Sequence, residues 1–66
     1  MDPNQAWSGL LRAVEDDDWQ SATEIAENLT DWIGKGGLPP TITGYESFDR
    51  IIARATLQAI AAWEVA

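Results

Sequence analysis

Asp18-Trp19-Gln20-Ser21-Ala22-Thr23-Glu24-Ile25-Ala26-Glu27-Asn28-Leu29-Thr30-Asp31-Trp32-Ile33 is the segment from which the architecture follows. At a step of about 100° per residue, Trp19, Ala22, Ile25, Ala26, Leu29, Trp32 and Ile33 share one broad face, and Gln20, Glu24, Glu27, Asn28 and Asp31 fall opposite. A stripe that wide suits contact with two neighbours rather than the narrow seam of a two-stranded coil. The segment therefore predicts a central helix over residues 18–33, with the chain before it and the chain after it both laid on its apolar side.

Working outward, the 66 residues have room for one domain, residues 1–66, with a modest core. There is no cysteine and no histidine, which removes disulfides, thiolate zinc sites and imidazole ligands as staples. No metal and no cofactor is expected. Four tryptophans, each able to bury roughly 150–250 Å², stand in for missing core volume. Eleven acidic residues against four basic ones give a net charge of −7, which repels a phosphate backbone and anionic lipid. Neither nucleic acid nor membrane is an expected partner. The longest apolar run, Ala59 to Trp63, is far shorter than the roughly 20 residues that span a bilayer. Met1-Asp2-Pro3-Asn4 lacks the basic start and apolar stretch of a secretory signal, so the cytoplasm is the expected address.

Asp2 before Pro3 is a helix start, an acceptor for free amides followed by a residue that needs no amide. Helix 1 is predicted over residues 3–15, with Trp7, Leu10, Leu11 and Val14 on one face. Glu15-Asp16-Asp17-Asp18 places carboxylates at the negative end of that helix and ends it. Asp17 with Gln20 has the spacing of a capping box, and Asp16 or Asp18 are the alternative caps. Capping explains this acidic run better than a cation site, because calcium loops alternate their ligands around a glycine turn. Thr43 with Glu46 has the capping-box spacing, with Ser47 as the alternative cap, and helix 3 is predicted over residues 46–64. With Phe48 as reference, Ile51, Ile52, Ala55, Ala59, Ala62 and Trp63 form its inward face. Ala53, Leu57, Ile60 and Ala61 form a second, shallower apolar surface.

The connection over residues 34–44 is a long loop, and Gly34 or Gly36 supplies the left-handed residue that closes helix 2. Pro39 and Pro40 prevent the helix from resuming. Gly34-Lys35 is no phosphate-binding loop, since the preceding strand, the glycine spacing and the following Ser or Thr are all missing. Leu38, Ile42 and Tyr45 are expected to tuck against the bundle end; otherwise Leu38-Pro39-Pro40 forms an exposed apolar ridge. Asp31-Trp32-Ile33-Gly34-Lys35-Gly36-Gly37-Leu38-Pro39-Pro40 resembles a pattern in short all-helical proteins of phage and environmental origin. In those, a helix ending in Trp and an aliphatic residue is followed by Gly-Gly, an apolar residue and proline. The resemblance implies a small helical fold and a phage or uncultured microbial source. It transfers no activity and no site residues.

The expected fold is all-α, an up-down-up three-helix bundle. Its expected core is Trp7, Leu10, Leu11, Val14, Trp19, Ala22, Ala26, Leu29, Ile33, Phe48, Ile52, Ala55 and Ala59. Trp7, Trp32 and Phe48 are expected to gather near one end, and Val14, Trp19 and Trp63 near the other. Without His or Cys, and with too little core for a cavity of about 300 Å³, the chain is not expected to be an enzyme. The leading expectation is a small protein-interaction or assembly module that pairs with itself through helix 3 and binds a further, unidentified protein. Leu38, Pro39, Pro40, Ala53, Leu57, Ile60 and Ala61 are the candidate contacts. The alternatives are an acidic decoy for a nucleic-acid-binding protein, presenting Glu24, Glu27 and Asp31 with Asp16 to Asp18 at the head of helix 2, and a plain monomeric domain. A DNA-binding trihelical unit is disfavoured by the four basic residues.

Overall fold

The computed structural model describes residues 1–65, with side chains through Trp63. Three helices make an all-α bundle: α1 (Pro3–Glu15), α2 (Trp19–Gly34) and α3 (Glu46–Val65). α2 packs against both others, whereas the α1 and α3 backbones stay further apart. The wide stripe on α2 is thus divided between two neighbours. Ala22, Ala26, Leu29 and Ile33 are buried along it, together with Leu10 and Ala13 of α1 and Ala53 and Leu57 of α3.

The caps explain where the helices break. The Asp2 carboxylate accepts the amides of Asn4 (3.0 Å) and Gln5 (3.3 Å), with Pro3 in the first turn. At the other end of α1, the Asp18 amide donates to the Ala13 carbonyl (2.8 Å) and the Asp17 amide to that of Val14 (3.2 Å). This is a Schellman turn, whose left-handed residue is Asp17 (φ 57°). With Asp17 occupied in that role, the cap of α2 is Asp18 rather than Asp17, its carboxylate accepting the Ser21 amide at 3.2 Å. Hydrogen bonding from Ser21 holds the Asp18 carboxyl below its ordinary value.

α2 ends in the same motif with the residue that suits it. Gly37 donates to the Trp32 carbonyl (2.9 Å), Gly36 to that of Ile33 (3.0 Å), and Gly36 is the left-handed position (φ 89°). Gly34 lies inside the helix. Two equivalent turns, one closed by glycine and one by aspartate, give a direct prediction. Asp17→Gly removes the Cβ penalty of the left-handed conformation and, after the added freedom of the unfolded chain, raises the unfolding free energy by about 0.5–1 kcal/mol. Urea denaturation of the two proteins measures it.

The 35–45 connection packs through other residues than expected. Leu38, Ile42 and Tyr45 are exposed, while Pro39 and Pro40 are buried. Proline has no amide to leave unsatisfied, so burying it costs less than burying most loop backbone. The Trp32 Nε1–H donates to the Leu38 carbonyl (2.8 Å), and the Thr41 amide donates to Oδ1 of Asn4 on α1 (2.6 Å). Gly37 lies flat on the Trp32 indole, where an added Cβ would collide with the ring. Gly37→Ala therefore displaces the indole and its hydrogen bond, at a cost of about 1–3 kcal/mol. A shifted tryptophan emission spectrum together with a lowered urea midpoint is the expected result.

α3 carries the main departure from the sequence reading. Its fourth residue, Asp49, is 2% exposed and gathers the end of the loop. Its carboxylate accepts the amides of Ile42 (3.2 Å), Thr43 (2.7 Å) and Gly44 (3.2 Å), and the Thr43 hydroxyl (2.6 Å). Thr43 does not form the expected capping box with Glu46. Its hydroxyl accepts the Tyr45 amide (3.2 Å) while donating to Asp49. With Asp49 turned inward, the residues one and two turns further on, Ala53 and Leu57, are driven into α2, and Ile52, Thr56 and Ile60 are half-buried beside them. The expected inward residues Phe48, Ala55 and Ala59 consequently lie outside. Leu11 is exposed too, and Trp7, Val14 and Trp19 are half-buried. At the far end Trp19 stacks on Trp63, with ring centroids 5.4 Å apart and planes at 17°.

Candidate protein-interaction surface

Burial separates the contacts expected from sequence. Ala53 and Leu57 are buried and Ile60 is half-buried, because these three form the internal seam between α3 and α2. Pro39 and Pro40 are buried as well. Only Leu38 and Ala61 remain exposed. The seam expected to face another molecule is spent inside this one.

What α3 leaves outside is the surface expected to be core. Its apolar residues, from Ile51 round to Leu57, cover roughly 240° of the helix, and α2 covers only one side of that arc. The rest presents Phe48 (55% exposed), Ile51 (65%) and Trp63 (66%), with Ala55, Ala59 and Ala62 between them. No charged side chain lies within this face among the described residues; Arg54 borders it beside Ile51, and Arg50 lies further round the helix. Next to it, Leu11 of α1 is 50% exposed. Leu11, Val14, Ala59, Ile60 and Trp63 wall an open apolar cleft of about 250 Å³ between α1 and α3. The cleft exists because the α1 and α3 backbones stand apart, and because the α3 side chain at its edge is alanine.

Comparison with protein-family models, with curated proteins and with solved structures finds no match. Function must therefore be read from this surface and its chemistry.

A groove of about 420 Å³ between α2 and α3 exceeds the space expected from sequence. It is floored by Ala26, Leu57 and Ile60, with Glu27 and Asp31 on its rim. Its threonine hydroxyls are turned to the backbone, Thr23 to the Trp19 carbonyl (2.6 Å) and Thr30 to that of Ala26 (2.7 Å). Lys35 reaches Asp31 at 2.9 Å in an exposed pair. Among the described residues no group of acidic side chains is arranged to hold a metal ion, and no helix is long and apolar enough to cross a membrane.

The sequence assigns the exposed face to the core because it offers two apolar stripes on α3 and the first carries the larger side chains. The discriminating signal is Asp49, which stands in line with Ala53 and Leu57 at intervals of four residues. An acidic residue in the first turn of a helix, following a Thr-Gly turn rich in free amides, has a reason to face the loop.

Proposed function

We propose that this chain is a protein-interaction and assembly module, without catalytic activity, which associates with itself through the outer face of α3. The observation that carries this reading is the uncharged row from Phe48 to Trp63, which leaves large side chains in water on a chain short of core. A chain carrying −7 repels its own copies, and an uncharged face is where two of them can meet. Exposed Leu38 offers a smaller, separate contact for a different protein.

Sedimentation equilibrium across protein concentration tests this. Association is expected, and it should strengthen with added salt as the repulsion between copies is screened. Ile51→Glu places a charge on the face and should yield a monomer with unchanged helix content. An acidic decoy would behave in the opposite way, binding a basic partner that salt releases. Glu24, Glu27 and Asp31 are all exposed on α2, so the sign of the salt dependence is what separates the two readings. A protein that stays monomeric at high concentration and high salt would refute self-association.

A further inference from the structure

Accepting that α3 pairs with itself, we infer that the partner is a second copy lying antiparallel, with the two-fold axis at Ala55. Phe48, Ile51, Ala55, Ala59 and Ala62 follow one another at steps of three, four, four and three residues. That spacing is symmetric about Ala55, and its average of about 3.5 is the repeat of a left-handed helix pair. The side chains are not symmetric: the large ones stand before Ala55 and the small ones after it.

An antiparallel pair turns this asymmetry into a fit. Phe48 of one copy meets Ala62 of the other, Ile51 meets Ala59, and the two Ala55 residues meet at the axis, where alanine lets the backbones approach. Each Phe48 then lies beside the other copy's Trp63, at the mouth of the cleft walled by Leu11 and Val14. A parallel pair would set Phe48 on Phe48 and Ile51 on Ile51 at one end and alanine on alanine at the other, leaving the helices splayed. The area is adequate as well. Phe48, Ile51, Trp63 and Leu11 leave roughly 400–500 Å² exposed per copy, and covering all of it together with the alanines brings two copies to about 1,000 Å², the lower limit for a specific interface.

The chain has no cysteine, so single cysteines report the register cleanly. Ala55→Cys and Ala62→Cys are each confirmed as folded by circular dichroism, sedimented, and treated with a short bismaleimide. Ala55→Cys should link into a covalent dimer. Ala62→Cys should not, because its two copies stand about 21 Å apart along the helix pair. As a second variant, Ala55→Trp puts bulk at the axis and should give a folded monomer. A dimer in which position 62 links, position 55 fails to link, or Ala55→Trp still pairs overturns the register while leaving self-association standing. A monomer at every concentration overturns both.

Discussion

Leu29→Ala removes a large share of the stability of the fold. Leu29 is fully buried on the stripe of α2 that both other helices cover, and truncating it removes apolar contact and opens a cavity that a backbone held from two sides cannot close. The cost is about 2–5 kcal/mol, against a total of about 3–10 kcal/mol for a chain of this length. Urea denaturation followed by far-ultraviolet circular dichroism should show a transition moved close to zero denaturant. An unchanged midpoint would mean that α2 is not the element on which the others rest.

Asp49→Ala has the second large effect, and it acts at the junction of loop and helix. Its removal leaves three amides and a hydroxyl without their acceptor and frees α3 to rotate about its axis. The melting temperature should fall further than for any other single polar substitution. The amides of Thr43 and Gly44 should lose their protection from hydrogen exchange. The pH dependence has a definite sign. Burial alone would raise the Asp49 carboxyl, but the Thr43 hydroxyl and the amides of Thr43, Ile42 and Gly44 hold it below 3.8. A carboxyl whose folded pKa lies below its unfolded one stabilises fully above the unfolded value, and that contribution is lost as pH falls through the folded value. Asp18 acts in the same direction. Acid unfolding should therefore begin below about pH 4, and Asp49→Ala should remove much of that dependence.

Local chemistry made most of the fold legible. Asp2 with Pro3, the acidic run ending at Asp18, and the glycines after Ile33 place the helix ends because capping and left-handed turns depend on neighbouring residues alone. The α2 stripe was readable for the same reason: its polar and apolar faces are cleanly opposed. Helix 3 was not, because Phe48, Ile51 and Trp63 on one side and Ala53, Leu57 and Ile60 on the other are both apolar. Hydrophobic size favours the first set, yet the second is buried. The decision rests on Asp49, whose four partners come from residues 42–44 and can be recognised only once the loop is folded back. Pro39 and Pro40 misled for a related reason, since proline reads as a surface breaker while its missing amide suits it to burial. The interaction surface inherits that single error, so the rotation of α3 decides both core and site.

One paired measurement tests that rotation: the unfolding free energies of Leu57→Ala and Ile51→Ala, determined at a protein concentration where each is monomeric. Leu57 is buried against α2 and Ile51 faces solvent, so Leu57→Ala should lose about 2–5 kcal/mol and Ile51→Ala no more than about 0.5 kcal/mol. The reverse order would place Ile51 in the core, and the proposed interaction face would not exist.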